Sequence, residues 1–414
     1  MDFLKLYNMP NPVCLYKWNW STVRLLEGET SSCHRVDPDT FSHENYANFH
    51  NTEKKIAARR NMLNGKWPGG GCEYCKKIED AGGISDRLDN NTTYLIEDIP
   101  PELNENNRAV HVTPTFVEVY FNNLCNMSCI YCNFKYSTLW AAEDRRFNRN
   151  SEGIAELEEL RKTYPLRLAA HWEWMKTHAH KIPVYHILGG EPFFQVEFEQ
   201  NIEFFQNYPC PDTNVAIFSN LKVKNDKMKS ILDKIVKLLD SRKIKKFKIV
   251  CSIDCWDKQQ EYIRHGLNLQ QWEENFLTIL HEYPQIELMI HGTIISLSLP
   301  TMHTLCQKVT DWNKIREVDH NISMADGQED MHLEIFPKDY FKNYFELARN
   351  CSTNTTMLNS IDSFEKVANM QDVDYYKIKN LKTKLDDIDM RRGSNWRKLW
   401  PWLDEFDTNN YFYW

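Results

Sequence analysis

The chain places three cysteines close together in the stretch Cys125-Asn-Met-Ser-Cys129-Ile-Tyr-Cys132. This stretch follows Phe116-Val-Glu-Val-Tyr-Phe121, an apolar run that alternates as a β-strand does. Because asparagine and serine favour turns, we expect the three thiols to lie on a loop. Closely spaced thiolates bind a soft metal centre, and a four-iron cluster with three protein ligands keeps one iron open, as a catalytic metal site requires.

Two other interpretations of this cysteine loop stay open. A zinc site usually takes its ligands from two short pairs, and neither a histidine nor a fourth cysteine follows Cys132 at a suitable distance. A disulfide framework is disfavoured because the chain is long and we expect no secretory signal in it. The spacing therefore favours an open iron–sulfur cluster over zinc and over a disulfide.

The spacing Cys-x3-Cys-x2-Cys, with Tyr131 before the last cysteine, resembles the radical S-adenosylmethionine (SAM) superfamily. Downstream, Gly189-Gly190-Glu191-Pro192 has the form of that family's motif for the SAM amino group. The resemblance implies a 4Fe-4S cluster held by Cys125, Cys129 and Cys132, with SAM bound at the open iron. It also implies reductive cleavage of SAM to a 5′-deoxyadenosyl radical, which abstracts hydrogen from a substrate.

Composition narrows the class of protein. The chain has 414 residues with 42% hydrophobic content, enough for a large core and for two or three domains. A net charge of −8 without a strongly basic block argues against nucleic acid as a partner. We expect no membrane partner, since no apolar run approaches the length of a membrane span. Twelve cysteines without an export signal indicate thiolate ligands in a cytoplasmic protein.

The N-terminal segment holds four further cysteines: Cys14, Cys33, Cys72 and Cys75. The first two flank a predicted hairpin with strands at residues 15–20 and 23–26, and helices are predicted at 53–63 and 76–81. Four thiolates in two pairs suit either zinc or iron–sulfur. The spacing Cys14-x13-Gly28-x4-Cys33 resembles the SPASM/twitch module of radical SAM enzymes, which implies an auxiliary 4Fe-4S cluster, with structural zinc as the alternative. In most such enzymes the module follows the barrel, whereas here it precedes it.

From residue 115 onward, short β-rich runs alternate with helical stretches, which is typical of parallel βα units. Strands are predicted near 115–121, 183–188, 213–218, 246–252, 285–295 and 332–336. Helices are predicted near 151–178, 196–207, 226–240, 271–282 and 301–314. We therefore predict an α/β fold, and six parallel strands resemble the partial (β/α)6 barrel of the superfamily. The predicted domains are a module and linker at 1–100, the barrel at 110–340, and a helical, aromatic-rich extension at 341–414.

Polar signals follow successive predicted strands, and parallel strands end at one edge of a sheet, where such folds place their active sites. The resemblance implies that Gly189 and Gly190 let the backbone approach SAM and that Glu191 accepts hydrogen bonds from its ammonium group. Other candidate SAM contacts are Tyr131 beside adenine, Ser219, Asn220 and Ser252 for ribose and carboxylate, and Arg264 for carboxylate. Strand-end capping is the alternative for the serines and asparagine, and a surface salt bridge is the alternative for Arg264.

Two further features carry weaker predictions. His171 and His178 share a helix face, and we interpret them as satisfied surface histidines rather than metal ligands. The C-terminus, from Trp396 to Trp414, is densely aromatic, and we interpret it as a terminal helix packed on the barrel, with a lid or a peptide-docking surface as the alternative.

The expected function is hydrogen abstraction from a peptide in a post-translational modification. Radical chemistry on a sugar or another small molecule is the first alternative, and a non-catalytic metal-cluster protein is the second. An electron donor such as flavodoxin or ferredoxin is the expected protein partner. Because four cysteines fill the auxiliary site, electron transfer is its expected role, rather than substrate ligation.

Overall fold

The computed structural model describes residues 12–80, 85–88, 111–325 and 327–406. The predicted linker, with its asparagine runs and Pro100-Pro101, lies mostly outside the described residues, as do the last eight residues of the chain. None of the described helices is both long enough and apolar enough to cross a lipid bilayer.

A nine-stranded sheet organises the described chain. Its strands, in sequence order, are β1 Trp20–Arg24, β2 Glu29–Ser31, β3 Asp39–Thr40, β4 Phe116–Tyr120, β5 Val184–Leu188, β6 Cys210–Ser219, β7 Ile244–Ser252, β8 Glu287–Ile294 and β9 Asp319–Met324. The spatial order is β3-β2-β1-β4-β5-β6-β7-β8-β9, and every pairing from β4 to β9 is parallel. The prediction of an α/β fold with a parallel sheet is therefore confirmed.

Helices connect the parallel strands and extend the chain beyond them. The described α-helices are α1 Tyr16–Asn19, α2 Glu53–Leu63, α3 Glu73–Asp80, α4 Thr138–Arg146, α5 Ser151–His178, α6 Val196–Asn207, α7 Asn225–Asp240, α8 Asp257–Ile263, α9 Leu269–Glu282, α10 Leu299–Trp312, α11 Lys342–Cys351, α12 Thr355–Ala368, α13 Tyr375–Arg392 and α14 Pro401–Glu405. The five predicted barrel helices correspond to α5, α6, α7, α9 and α10. Each presents an apolar stripe to the sheet, as α7 does with residues such as Ile231 and Ile235.

The two faces of the sheet differ because strand side chains alternate. Right-handed crossovers that always step to the next strand place the helices on one face. Val117, Val119, Ile187, Ile217 and Ile249 pack on this face in the main core. Their neighbours point to the other face and line a cavity of about 480 Å³.

Two predicted elements are wrong. The sixth parallel strand is Asp319–Met324 rather than 332–336. Its sequence is mostly polar because it is the edge strand and has only one neighbour, whereas Leu333 and Phe336 are buried in turns. In the N-terminal hairpin, residues 16–19 form α1, so the strand begins at Trp20 and its partner is Glu29–Ser31. The turn between these strands ends at Gly28, where φ is +70°.

The N-terminal strands extend the same sheet. β1 pairs in parallel with β4, with Trp20 opposite Phe116 and Arg24 opposite Tyr120. β2 runs antiparallel to β1, with Ser31 opposite Thr22, so the chain leaves β2 near the amino end of β1. The predicted domain boundaries stay a prediction, but hydrogen bonds of one sheet cross the first of them.

The C-terminal helices α11 to α14 pack against α10 and β9 around a second core. Trp396, Trp400 and Leu403 are fully buried in it, and Trp400 Nε1 donates a hydrogen bond to the Leu297 carbonyl at 2.9 Å. This part of the C-terminus is therefore a packed terminal element, as predicted, and the described aromatic residues do not form a lid. Residues 411–414, which belong to the same prediction, lie outside the described residues.

Candidate functional site

The three cysteines lie on the loop between β4 and α4, at the carboxyl edge of the parallel strands. Helix α4 anchors this cysteine loop: Trp140 Nε1 donates to the Cys129 carbonyl at 2.7 Å, and Ser137 Oγ donates to the Met127 carbonyl at 2.6 Å. The end of α8 anchors it from the other side, since Ile130 N donates to the Ile263 carbonyl at 2.8 Å. The backbone around the thiols is therefore held by two separate elements.

The three thiols lie within electrostatic range of one another. Burial raises the pKa of Cys125 to about 12, and the neighbouring Cys129 contributes to that rise. Burial, followed by Cys129 and Cys125, also raises the pKa of Cys132. For Cys129, burial raises the pKa while the cations Arg264 and Arg392 oppose it. Because metal binding requires thiolates, loading this loop releases protons and grows stronger with rising pH.

The donor set suits an iron–sulfur cluster better than a hard cation, because its three neighbouring groups are soft thiols and cations lie beside them. All twelve cysteines of the chain are free. Within the described ranges, no group of three or more histidine, cysteine, aspartate or glutamate side chains is placed so that it could hold a metal ion. The thiol positions therefore indicate a candidate site without defining a coordination geometry.

The Gly-Gly-Glu turn after β5 packs directly on the cysteine loop. Glu191 N donates to the Leu124 carbonyl at 2.8 Å. Gly189 and Gly190 have φ values of +83° and +54°, and a Cβ on Gly190 would lie 2.2 Å from the Leu124 carbonyl oxygen. Gln195 Nε2 ties the two segments further by donating to the carbonyls of Gly189 at 2.6 Å and Asn122 at 3.2 Å. The glycines thus let the turn approach the cysteine loop closely, while their predicted approach to SAM stays a prediction.

The Glu191 carboxylate is fully buried and bridges two loops. It accepts hydrogen bonds from Ser219 Oγ at 2.8 Å, from Asn220 N at 2.7 Å and from Phe193 N at 3.2 Å. Burial raises the pKa of Glu191 to about 7, although these hydrogen bonds lower it. In the structure, Glu191 therefore positions the loop after β6. Its predicted contact with a SAM ammonium group stays a prediction.

Ser219 and Asn220 lie where the sequence places them, at the end of β6. The Ser219 hydroxyl is used by Glu191 and is 1% exposed. Asn220 Nδ2 lies 3.9 Å from Cys125 Sγ and donates to Asn126 Oδ1 at 3.1 Å, so Asn220 touches the cysteine loop directly. Ser219 thus binds Glu191, and Asn220 connects the strand end to the thiol, while the predicted SAM contacts of both stay predictions.

Arg264 forms a buried ion pair, which neither prediction for it included. Its guanidinium donates to both carboxylate oxygens of Asp254, with Nε at 2.9 Å from Oδ2 and Nη2 at 2.7 Å from Oδ1. The same carboxylate accepts from Tyr131 Oη at 2.8 Å and from Thr293 N at 2.7 Å. The Asp254 network therefore joins the cysteine loop to the ends of β7 and β8 and to the segment after α8. The surface salt bridge is wrong because Arg264 is only 7% exposed.

The open face of the sheet carries functional candidates that sequence reasoning missed. The cavity lies along the strands, below the carboxyl edge that bears the cysteine loop, and Ser252 lies on this face opposite His291. Its lining includes two histidines, two lysines, an acid and two amides: His186, His291, Lys246, Lys248, Glu287, Asn214 and Asn321. Burial lowers the pKa of His291 to about 4. The sequence does carry a signal for this cavity: polar residues occupy every second position of otherwise apolar strands.

The four N-terminal cysteines come together at the opposite edge of the sheet. Cys14 precedes β1 and Cys33 follows β2, and both line one small cavity with Cys72 and Cys75. Burial raises the pKa of Cys14 to about 12, with Lys17 opposing the rise and Cys33 adding to it. These four thiols line one cavity, but among the described residues no three of them are placed so that they could hold a metal ion. Their metal, whether iron–sulfur or zinc, stays a prediction.

The histidines of α5 differ from their prediction in one respect. His171 is fully buried, and its ring nitrogens lie 2.7 Å from Tyr46 Oη and 3.1 Å from Tyr185 Oη. Burial lowers its pKa to about 3, so the ring is neutral at physiological pH. His171 is a satisfied core residue, and the predicted surface position is wrong because α5 packs under the N-terminal segment.

Comparisons with known proteins give distant likenesses. No family model matches the chain, and no curated protein matches it significantly. Among solved structures, SuiB of Streptococcus suis bound to the precursor peptide SuiA is 12% identical with a TM-score of 0.37, over 90% of this chain and 69% of that one. SuiB bound to S-adenosylmethionine is 13% identical, with a TM-score of 0.36 and the same coverage.

TYW1 with a lysine–pyruvate adduct is a further solved structure similar to the chain. It is 16% identical with a TM-score of 0.29, over 55% of this chain and 70% of that one. Likenesses at these identities and TM-scores carry no inference about what this chain binds or does. The residues of the chain itself must carry the functional assignment.

Proposed function

We propose that the chain is a radical SAM enzyme. The observation that carries this proposal is the contact between the cysteine loop and the Gly-Gly-Glu turn at the carboxyl edge of the parallel sheet, made through the Glu191 N to Leu124 carbonyl hydrogen bond. These motifs lie more than fifty residues apart in the chain, yet a Cβ at Gly190 would not fit between them. Such a juxtaposition is what one cofactor bound by both motifs requires.

A 4Fe-4S cluster held by Cys125, Cys129 and Cys132, with SAM bound beside it, would supply a 5′-deoxyadenosyl radical for hydrogen abstraction. The chain's own residues would bind these cofactors and orient the groups around them. Asn220 and the glycine turn hold the loop at Cys125, and the Asp254 network holds Tyr131 and the end of β8. Preorganised groups of this kind fix the reacting atoms and exclude water, which is the protein's part in cofactor chemistry.

We propose that the substrate occupies the cavity on the open face and that it is a peptide. The cavity is about 480 Å³, and its lining of lysines, histidines, asparagines and a glutamate suits a substrate with several hydrogen-bonding groups. A sugar or another small molecule offers similar groups and remains the second candidate. A non-catalytic cluster protein is the third.

We propose an auxiliary 4Fe-4S cluster at Cys14, Cys33, Cys72 and Cys75, and electron transfer as its role. The four thiols line one cavity beside Lys17; burial raises the pKa of Cys14 and Cys72, and the charge of Lys17 opposes this rise. This site lies at the amino edge of the sheet, whereas the cysteine loop lies at the carboxyl edge, beyond the other end of β4. The proposed substrate cavity lies along the strands of the same sheet. The auxiliary cluster could therefore accept an electron that the reaction leaves on a substrate in that cavity. We also assign the protein to the cytoplasm, where reducing conditions keep such thiols free.

The decisive experiment is anaerobic reconstitution of the purified chain, followed by iron, sulfide and zinc analysis and by a SAM cleavage assay with dithionite. We expect 5′-deoxyadenosine from the wild type and none from the C125A/C129A/C132A variant. The C351A variant is the matched control, because Cys351 is a partly exposed thiol that belongs to neither group. Zinc at the cysteine loop, or an intact cluster without SAM cleavage, would favour the non-catalytic protein.

A second variant separates the two thiol groups. C72A/C75A should retain 5′-deoxyadenosine production while losing turnover of the substrate, since these thiols lie at the amino edge of the sheet. If this variant and C125A/C129A/C132A behave alike, the assigned division between the two sites is wrong. Metal analysis of the C125A/C129A/C132A protein reports directly whether the auxiliary site takes iron or zinc.

A further inference from the structure

A second cleft lies on the outer side of the cysteine loop, between α8 and the end of α13. It has a volume of about 530 Å³ and is lined by Lys258, Glu261, Tyr262, His265, Arg392, Ser394, Asn395, Lys398 and Leu399. We call it the outer cleft. It is separate from the substrate cavity, which lies on the open face of the sheet.

The floor of the outer cleft contacts Ser128, which is the neighbour in sequence of the proposed cluster ligand Cys129. Arg392 Nη2 donates to the Ser128 carbonyl at 3.0 Å and to Ser128 Oγ at 3.2 Å. From the same side, Ser128 N donates to the carbonyl of His265 at 3.0 Å. Ser128 immediately precedes Cys129, so two residues that line the cleft grip the backbone of the ligand loop.

Arg392 is itself built into this floor. Its side chain is 3% exposed, its Nε donates to Glu143 Oε2 at 3.1 Å, and its guanidinium lies 4.7 Å from the centre of the Trp140 ring. One donor of this buried guanidinium, Nη1, has no hydrogen-bond partner among the described residues. Glu143, the Trp140 ring and Ser128 therefore fix Arg392 in the floor of the cleft.

The rim of the outer cleft is positive on a chain whose net charge is −8. Lys258 and Lys398 are exposed, and neither forms an ion pair within the described part of the chain. Glu261 is the one acid among the lining residues, and its Oε1 accepts a hydrogen bond from Leu269 N at 2.9 Å. Burial, followed by Arg392, lowers the pKa of His265, so that ring adds no charge at neutral pH. Two unpaired lysines therefore dominate the rim.

We propose that the outer cleft is the docking surface for an acidic one-electron carrier protein of the flavodoxin or ferredoxin kind. This inference rests on the proposed function, because it assigns an electron entry point to the cluster loop. One electron leaves the reduced carrier and enters the cluster bound at Cys125, Cys129 and Cys132, and no bond forms or breaks. The lysines attract the acidic carrier, and the contact through Arg392 and Ser128 brings it next to Cys129.

The test uses the reconstituted enzyme and pre-reduced flavodoxin, with cluster reduction followed by stopped-flow absorbance. K258E/K398E should lose roughly tenfold or more in the rate of reduction by flavodoxin at low salt, and K258Q/K398Q should lose less. Reduction by dithionite, a small reagent that needs no docking surface, should be unchanged. Calorimetric titration with oxidised flavodoxin provides a readout without turnover, and the variant should bind it more weakly.

The matched control is K366E/K379E, which changes net charge equally through two exposed lysines on α12 and α13 that do not line the cleft. Equal rates of flavodoxin reduction in K258E/K398E and wild type would overturn the docking surface. An equal loss in the control would overturn it as well, because the effect would then be one of overall charge. Failure of the wild type to yield 5′-deoxyadenosine with dithionite would instead defeat the proposed function.

Discussion

At the scale of single residues, the candidate site depends on two features of the turn after β5 in which the sequence motif and the geometry agree. The glycines of the turn after β5 have positive φ and lie against backbone, and the glutamate that follows them is buried with its carboxylate fully engaged. Both features are local, so each is testable by one substitution.

Gly190→Ala should be strongly destabilising, because the new Cβ would lie 2.2 Å from the Leu124 carbonyl oxygen at a φ of +54°. The matched control is Gly393→Ala, where φ is +66° and nothing lies within 4 Å of the added Cβ. We expect the control to cost about 1 kcal/mol of unfolding free energy, from backbone strain alone. Gly190→Ala should cost about 3 kcal/mol or more, as measured by urea unfolding. Equal costs for the two would show that the close approach to Leu124 does not matter.

Glu191 makes stability depend on pH. Its pKa is raised from 4.5 to about 7, so the folded chain holds a proton that the unfolded chain has released between these values. Its contribution to stability is therefore full below pH 4.5 and is lost as the pH rises to about 7, by on the order of 3 kcal/mol. Urea unfolding of wild type and Glu191→Gln between these pH values should show this slope in the wild type only. A parallel pH dependence in both proteins would contradict the assignment.

At the scale of elements, the site depends on carboxylates that tie several segments together. Asp254 follows β7 and binds the segment after α8 through Arg264, the cysteine loop through Tyr131, and β8 through the backbone of Thr293. The sequence placed Asp254 at a strand end but gave no sign of these partners, since they lie 10 to 123 residues away.

Asp254→Asn should cost about 3–5 kcal/mol of unfolding free energy, because it leaves the buried Arg264 guanidinium without its counter-charge. Glu173→Gln is the control, since the Glu173–Lys176 pair is 72% and 39% exposed and should contribute under about 1 kcal/mol. Chemical denaturation measures both. In addition, tyrosine ultraviolet absorbance should report a changed environment for Tyr131 in Asp254→Asn only. A small cost at Asp254 would mean that Arg264 finds another partner.

The elements themselves were predictable wherever hydrophobic periodicity was strong. Five of the parallel strands and five helices lie where their apolar patterns indicate, because burial on one helix face or on alternating strand positions imposes those patterns. Prediction failed at β9, whose edge position tolerates polar residues, and at residues 16–19, where one helical turn precedes β1.

The sequence predicted those parts of the site whose residues lie together in short motifs. The spacing of Cys125, Cys129 and Cys132 and the glycine turn were identified in the sequence, and the structure brings them together. The partners of Arg264 and the cavity side chains were not, because they are contributed one by one from several strands and no local pattern joins them.

At the scale of the whole molecule, the C-terminal extension is part of the folded body. Its helices build their own core against α10 and β9, and the end of α13 holds the cysteine loop through Arg392. Loss of packing in this core should therefore disturb the cysteine loop as well as lower the stability of the whole fold.

Trp400→Ala should cost about 3–5 kcal/mol of unfolding free energy, because Trp400 is fully buried and donates to the Leu297 carbonyl. It should also lower the iron retained after reconstitution. The control is Leu347→Ala on α11, where the side chain is 45% exposed and the expected cost is within about 0.5 kcal/mol. Thermal unfolding and iron analysis test the two effects. Unchanged iron content in Trp400→Ala would show that packing of the C-terminal extension does not affect the site.

The continuous hydrogen bonding from β1 to β4 fixes one further property. Because these strands share a ladder with Trp20 opposite Phe116, the two cysteine groups are attached to opposite ends of the same rigid five-residue strand pair. The strand pair between them is roughly 16 Å long at about 3.3 Å per residue, and this length is set when the chain folds. Within the described residues of β1 and β4 the ladder is unbroken, so cofactors held near its two ends would exchange electrons over a distance that this strand pair helps to fix.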